Sequence, residues 1–294
     1  MPGAGTSGAV DEGGPAGPGG GQHHLPRSGP TLDEMNHDEL VAAWSTPVHE
    51  GEGRIGVLLC HGFTGSPQAL REWAFHLVGQ GFRVSLPLLP GHGTTWQDLN
   101  HTTWRDWYAT VEAEFNLMRR ECDAVFVAGL AMGGALALRL AERYGSDVTG
   151  IALVNPAIRS SDKRLLALRP VLRVVPSIGG IAGDVADPSA VEYAYRRTPL
   201  RALQSMLQLW RDVTANLERI TQPVLLFKST TDHVVDPSSA RLIAERVSSD
   251  EFTVRPLERS FHVATLDYDA PDIFAESAEF FLRHCGVENP PPQT

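Results

Sequence analysis

Six short apolar runs alternate with helix-like patterns along this 294-residue chain, and this alternation limits the fold more than any other feature. The first run, Ile55–Cys60, reads IGVLLC and ends at the turn-forming pair His61-Gly62. A continuous apolar run of this length is typical of a strand buried on both faces, as in a parallel sheet. Strands that alternate with amphipathic helices predict an α/β domain, with a mostly parallel central sheet flanked by helices. The predicted strands are residues 55–60, 82–88, 124–128, 151–154, 224–227 and 252–257, and the predicted helices are residues 67–80, 103–120, 135–144, 238–248 and 273–284.

One interval is too long for a simple crossover between strands. Residues 158–220 separate the fourth and fifth predicted strands, whereas connections in compact domains are usually a few residues or one helix. Pro170 and Pro176 exclude one continuous helix here. We therefore interpret residues 158–220 as an inserted cap or lid over the strand ends. Three roles stay open for it: the lining of an acyl pocket, an ordinary surface subdomain, or a lid that also touches a membrane surface.

The start of the chain differs in composition from the rest. Residues 1–30 are rich in glycine and proline and nearly free of large apolar side chains. Such a segment buries too little surface to offset its ordering entropy, which predicts a disordered tail before a folded domain at residues 31–294. The tail lacks the charged start and apolar core of a secretory signal.

Composition excludes several classes of protein. A net charge of −10 disfavours a nucleic-acid partner, because neutralising phosphates needs a basic face. No apolar run approaches the roughly 20 residues of a membrane span. The 3 cysteines have no paired spacing, so neither a disulfide framework nor a zinc site is expected. With no phosphate loop or dinucleotide motif, the sequence predicts no cofactor and no metal.

The third predicted strand leads into a strand–turn–helix motif. Residues 125–134 read VFVAGLAMGG, which is the G-x-S-x-G nucleophile elbow with Ala131 in the serine position. The turn is so tight that the residues two before and two after the nucleophile must lack side chains. Gly129 and Gly133 occupy those two positions. The pattern therefore predicts an elbow with Ala131 at the nucleophile position.

Because Ala131 has no hydroxyl, the chain as written is not expected to form an acyl-enzyme. One explanation is a deliberate replacement of serine by alanine, made to keep a ligand intact in the site. Another is a natural pseudoenzyme that binds without turnover. A third is a strand–helix turn that only resembles an elbow. We favour the first, because the other catalytic parts are present.

The acid and the base of a triad follow the elbow in the order that hydrolases of this type use. Asp232 lies in the turn after the fifth predicted strand, and His262 follows the sixth. His262 would take the serine proton and return it to the leaving alcohol, while Asp232 orients its imidazole. Asp236 precedes a proline and is interpreted as a turn or helix-cap residue, and His233 as a surface residue.

An oxyanion hole needs two backbone N–H groups. One is expected from Met132, the residue after the nucleophile position, and the other from Phe63 in the loop after the first strand. His61 is expected to hold that loop by a side-chain hydrogen bond, and His92 is also interpreted as structural.

Five motifs spread over residues 54–286 belong together. They read HGFTGSP, LPLLPGHGT, GLxMGGALAL, TTDHVV and SFHVATLDYDAPDIF. With the lid segment 183–199, they resemble the bacterial monoacylglycerol lipase and carboxylesterase branch of the α/β-hydrolase superfamily. The resemblance implies the α/β-hydrolase fold and a cytoplasmic or membrane-peripheral serine hydrolase of monoacylglycerols or simple carboxylic esters.

Carried over position by position, the resemblance places the family's nucleophile at Ala131, its acid at Asp232 and its base at His262. It places the oxyanion donors at Phe63 and Met132. The missing nucleophile is one departure from the family.

Residues 159–181 are a second departure, because they follow the family pattern poorly and lie where the alcohol and acyl sites would form. Ester hydrolysis is therefore a firmer expectation than a preference for monoacylglycerol. The expected partner is a small-molecule ester or acylglycerol, with peripheral membrane contact through the lid as a further expectation. A non-catalytic binder of acyl ligands, an amidase and an acyltransferase of the same fold are the alternatives.

Overall fold

The computed structural model describes residue 3, residues 35–161 and residues 175–286. The predicted tail, apart from residue 3, and residues 162–174 of the predicted cap lie outside the described residues, as do residues 287–294. The chain divides after Met35, and all elements below belong to the unit that begins at Asn36.

A seven-stranded sheet runs through this unit in the order β1-β3-β2-β4-β5-β8-β9. All neighbouring strands are parallel except β1, which pairs antiparallel with β3 at one edge. Strands β6 and β7 form a separate antiparallel pair. The strands are β1 Val48–Glu50, β2 Ile55–Cys60, β3 Arg83–Leu86, β4 Ala124–Leu130, β5 Gly150–Val154, β6 Ser177–Gly179, β7 Arg197–Pro199, β8 Val224–Ser229 and β9 Phe252–Leu257.

The predicted mostly parallel sheet is confirmed, and the six predicted strands are β2 to β5, β8 and β9. Every residue of β4 and β5 is buried, which explains why these strands read as continuous apolar runs. The sequence analysis missed β1, because only one of its three residues is buried and it gives no periodic signal.

Helices cover both faces of the sheet. Side chains alternate along β4, so that Val125 and Val127 pack into one apolar cluster with α4 and α5, while Phe126 and Ala128 pack into another with α2 and α8. The helices are α1 His37–Ala43, α2 Arg71–Gly79, α3 Trp96–Leu99, α4 Trp104–Glu121, α5 Met132–Tyr144, α6 Leu200–Thr214, α7 Ser238–Arg246 and α8 Ala270–His284. No helix in the described part of the chain is long and apolar enough to cross a membrane.

Two departures from the predicted helices bear on the site. Helix α5 begins at Met132 rather than at residue 135, because the tight turn before it feeds directly into helical backbone. Helix α6 lies within the interval that was interpreted as a cap. Its Leu209 and Val213 are fully buried with α4 and α5, and the Ser205 hydroxyl accepts a 2.9 Å hydrogen bond from the backbone N–H of Trp104. The far end of the interval is thus joined to the main helical layer.

Candidate active site

The turn between β4 and α5 has the geometry of an elbow. Ala131 adopts φ 53° and ψ −115°, a region that non-glycine residues rarely enter, and it links the last residue of the strand to the first residue of the helix. A Cβ atom at Gly133 would lie 1.8 Å from the Cys60 carbonyl oxygen, and one at Gly129 would lie 2.3 Å from the Gly133 backbone. Both positions therefore require glycine, for the steric reason that the sequence motif suggested.

His262 and Asp232 meet at the carboxyl ends of β9 and β8. The His262 Nδ1 atom lies 3.1 Å from Oδ2 of Asp232, and the two side chains are 9% and 2% exposed. Because an ionised carboxylate can only accept, Nδ1 is the donor in this hydrogen bond. The other oxygen, Oδ1, accepts from the backbone N–H groups of Val234 and Val235, at 2.9 and 2.8 Å.

These contacts keep the Asp232 carboxyl ionised. Burial acts to raise its pKa, but the hydrogen bond and charge of His262, with the two backbone N–H groups, outweigh burial and lower the pKa to about 2. The side chain is thus a carboxylate over the whole neutral range, as a group that orients an imidazolium must be.

One pocket of about 290 Å³ collects most of the predicted site residues. Ala131, His262, Phe63 and Met132 all line it, whereas Asp232 lies behind His262. Met132 is the first residue of α5, where backbone N–H groups lack intrahelical acceptors. The loop after β2 passes beside the elbow, since a Cβ at Gly62 would lie 3.6 Å from the Ala131 Cβ. The structure thus brings the predicted donors, base and nucleophile position together.

Residues 175–214 supply the largest further part of the pocket lining. Most of these side chains are apolar, and the polar ones are Thr198 and a carboxylate that the sequence analysis did not single out. Glu192 lines the pocket, and burial raises the pKa of its side chain. The only sequence signal for it is the family-like segment 183–199 in which it lies. The apolar lining residues from this part of the chain are Ile178, Ile181, Ala182, Leu203, Met206 and Trp210.

Three further histidines, His61, His92 and His233, were assigned structural or surface positions from the sequence. The predicted side-chain hydrogen bond of His61 is confirmed: Nε2 accepts from the backbone N–H of Leu89 at 3.2 Å. Burial lowers the pKa of His61 to about 4, and burial with the neighbouring His61 lowers the pKa of His92 well below its ordinary value. Asp236 lies two residues before α7 and accepts from the Ser238 N–H at 2.8 Å, while the exposed His233 contacts Asp184.

An elbow after β4, a carboxylate after β8 and a histidine after β9, on a mostly parallel sheet, define an α/β-hydrolase. The chain belongs to the family described as serine aminopeptidase, S33, which matches residues 51–269.

Its relatives include lipases and esterases. It is 40% identical over 254 residues to the thermostable monoacylglycerol lipase of Bacillus sp. (strain H-257), which covers 86% of this chain and 100% of the relative. It is 27% identical over 234 residues to a carboxylesterase of Bacillus subtilis (strain 168), covering 79% and 94%. A solved structure described under "LipS and LipT, two metagenome-derived lipolytic enzymes" matches with a TM-score of 0.80 and 36% identity, covering 82% of this chain and 98% of that one. The chain therefore falls in the monoacylglycerol lipase and carboxylesterase branch of the α/β-hydrolases.

Proposed function

We propose that this chain is the scaffold of a serine hydrolase that acts on carboxylic esters, with monoacylglycerols of short or medium chain as the preferred substrates. Ala131 stands where the nucleophilic serine belongs, and the chain as written binds such esters without cleaving them. The observation that carries the proposal is the hydrogen-bonded His262–Asp232 pair, whose His262 side lines the same pocket as Ala131.

The proposed reaction needs only the hydroxyl that Ala131→Ser would supply. His262 takes the hydroxyl proton as the oxygen attacks the ester carbonyl, and Asp232 stabilises the imidazolium that forms. The backbone N–H groups of Phe63 and Met132 hold the negative oxygen of the tetrahedral intermediate. The intermediate collapses with loss of the alcohol, which receives the proton from His262. Water, activated by His262 in the same way, then releases the acid and restores the serine.

The pocket supports the substrate class. Its apolar lining suits an acyl chain, and about 290 Å³ is at the small end of ligand pockets, which favours short and medium chains. The Glu192 carboxylate is placed in the same pocket, where it can accept hydrogen bonds from free hydroxyl groups. A monoacylglycerol carries two such hydroxyls on its alcohol side, whereas a simple alkyl ester carries none.

Ala131 itself favours a second candidate function, that of a natural acyl-ligand binder that has no turnover. An amidase is another candidate, because the family description names a serine aminopeptidase, which cleaves an amide bond. An acyltransferase would use the same residues but deliver the acyl group to an alcohol or thiol instead of water.

The deciding experiment compares the chain as written with its Ala131→Ser variant on a p-nitrophenyl ester, a medium-chain monoacylglycerol and a matching anilide. We expect turnover of both esters only in the Ala131→Ser protein, with the monoacylglycerol preferred and the anilide slow. A double variant that also carries His262→Gln controls for contaminating esterases. A folded Ala131→Ser protein that cleaves none of the three would overturn the hydrolase and leave the binder, and preferred cleavage of the anilide would establish the amidase.

A further inference from the structure

Residues 183–187, here called the strap, belong to residues 175–214, which line one side of the pocket, and they contact the loops that carry His262 and Asp232. Within the strap, the Asp184 carboxylate is 14% exposed. One of its oxygens, Oδ2, accepts from the backbone N–H of His262 and from that of His233, both at 3.1 Å. Since His233 follows Asp232 directly, one carboxylate oxygen ties together the two loops whose side chains form the His262–Asp232 pair.

Further contacts hold Asp184 itself in place. Its second oxygen, Oδ1, lies 2.8 Å from Nδ1 of the His233 ring, which in turn packs edge-on against Phe261. Its backbone carbonyl accepts from the N–H of Val263 at 3.0 Å. Asp184 thus contacts the backbone of His262 through its side chain and the backbone of Val263 through its carbonyl oxygen.

The loop that carries His262, here called the base loop, also contacts the strap through a carboxylate of its own. Asp267, which follows His262 in the chain, accepts from the backbone N–H of Ala186 at 2.7 Å and from that of Asp187 at 3.0 Å. The same carboxylate accepts from the N–H of Phe261 at 2.9 Å. The strap and the base loop are therefore joined by two carboxylates: Asp184 of the strap contacts the base loop, and Asp267 of the base loop contacts the strap. Asp184 and His262 are 78 residues apart in the chain.

The strap also reaches the substrate pocket. The Glu192 Oε2 atom accepts from the N–H of Gly183 at 2.7 Å, directly before Asp184. The residue that holds the Glu192 carboxylate, Gly183, thus directly precedes Asp184, whose carboxylate contacts the backbone of His262.

We propose that Asp184 is a positioning residue, which sets the His262 imidazole relative to Asp232 by fixing the backbone of both loops. The proposal rests on the proposed function for its kinetic consequence, but the positioning itself does not require turnover. A displacement of about 1 Å in a catalytic group can lower a rate about 100-fold, so a carboxylate that fixes both loops has a large effect on kcat without touching the substrate.

The first test uses the chain as written, so it does not depend on catalysis. The proton that bridges His262 Nδ1 and Asp232 is followed as a low-field resonance in the ¹H NMR spectrum. We expect Asp184→Asn to shift and broaden this resonance and Asp184→Ala to abolish it. Asp187→Asn is the matched control, because its carboxylate lies in the same strap and, among the described residues, accepts hydrogen bonds from Ser189 alone. The control should leave the resonance unchanged.

The second test places the same substitutions in the Ala131→Ser protein. We expect Asp184→Asn to lower kcat on a p-nitrophenyl ester roughly 10- to 100-fold, with KM changed less than about threefold, because the pocket is left intact. Asp187→Asn should keep both constants. A residue that merely stabilised the fold would lower the amount of active protein, seen by active-site titration, and would leave kcat per active site unchanged.

The outcomes separate the two proposals. An unchanged low-field resonance in a folded Asp184→Asn protein would overturn the positioning role, whatever the kinetics. A lost resonance together with an inactive Ala131→Ser parent would support the positioning role and overturn the hydrolase. If Asp184→Ala does not fold, Asp184→Asn still decides, since it keeps the size of the side chain but removes its negative charge and one of the two acceptor oxygens.

Discussion

The two sides of the pocket are built by different means. The strand side consists of residues that follow β2, β4, β5, β8 and β9, and its shape at the elbow is set by backbone atoms in close contact, as at Gly133. The cap side consists of residues 175–214, and it is held to the strand side by side-chain carboxylates and apolar packing. The strand side is thus fixed by steric constraints that tolerate few substitutions, while the cap side is held by contacts that can be exchanged one at a time. Substitutions on the two sides should differ accordingly.

The largest effect is expected at the base on the strand side. In the Ala131→Ser protein, His262→Gln should lower kcat about 10⁶-fold, roughly 8 kcal/mol of barrier, because the variant loses the group that is proposed to take the serine proton. The measurement is single-turnover and steady-state hydrolysis of a p-nitrophenyl ester. His101→Gln, at an exposed histidine, is the control and should leave kcat within twofold. A loss of less than 100-fold for His262→Gln would show that another group serves as the base.

The next effect tests the steric constraint itself. Gly133→Ala should destabilise the protein by about 4 kcal/mol or more, because the new Cβ would meet the Cys60 carbonyl at 1.8 Å and backbone must move. Gly79→Ala is the matched control, since nothing lies within 4 Å of a Cβ there. It should be neutral or slightly stabilising in α2. Urea unfolding of both variants checks the comparison, and equal midpoints would contradict it.

A third effect concerns the buried histidine beneath the oxyanion loop. The unfolded chain binds a proton at His61 below about pH 6.5, whereas the folded chain does so only near pH 4, because burial lowers the pKa of His61 to about 4. The stability contributed by the neutral ring is therefore complete above pH 6.5 and is lost as the pH falls towards 4, by roughly 3 kcal/mol.

Urea unfolding at pH 7, 5.5 and 4.5 measures this loss. His61→Gln keeps a side-chain acceptor for the Leu89 N–H but has no proton to gain, so its free energy of unfolding should fall less over the same range. Parallel pH profiles for parent and variant would show that other groups account for the acid sensitivity.

The smallest effect is expected on the cap side. In the Ala131→Ser protein, Glu192→Gln should lower the ratio of monoacylglycerol to p-nitrophenyl ester turnover about tenfold, or roughly 1.4 kcal/mol, because a neutral amide accepts hydroxyl hydrogen bonds more weakly than a carboxylate. Glu279→Gln, at an exposed position on α8, is the control and should leave the ratio unchanged. An unaltered ratio in the Glu192 variant would remove this residue from substrate selection.

The strand side could be predicted from sequence because its signals are local. Buried parallel strands read as apolar runs, and the elbow shows two glycines at fixed spacing around residue 131. Asp232 and His262 follow their strands directly, so topology alone brings them to one edge of the sheet. Their catalytic roles, and those of Phe63 and Met132, stay predictions that the experiments above address.

The cap side could not be predicted in the same way. Helix α6 gives an amphipathic pattern, but nothing in the sequence says that its buried face packs on α4 and α5 rather than over the pocket. Asp184 and Glu192 lie in the family-like segment 183–199, but no residue spacing there indicates a role for either side chain, and their hydrogen-bond partners are 78 and 9 residues away in the chain. The contacts of such residues can be identified only from the three-dimensional positions of the loops that they join.

The conformation of Ala131 has an evolutionary consequence. Its positive φ is imposed by the strand, the helix and the two glycines, so the surrounding fold maintains the strain although alanine gains nothing from it. A receptor and an enzyme built on this scaffold would differ by one oxygen atom, on a side chain whose backbone already has the conformation of an elbow. A single mutational step, Ala131→Ser, would therefore supply the proposed nucleophile with no need to rebuild the protein around it.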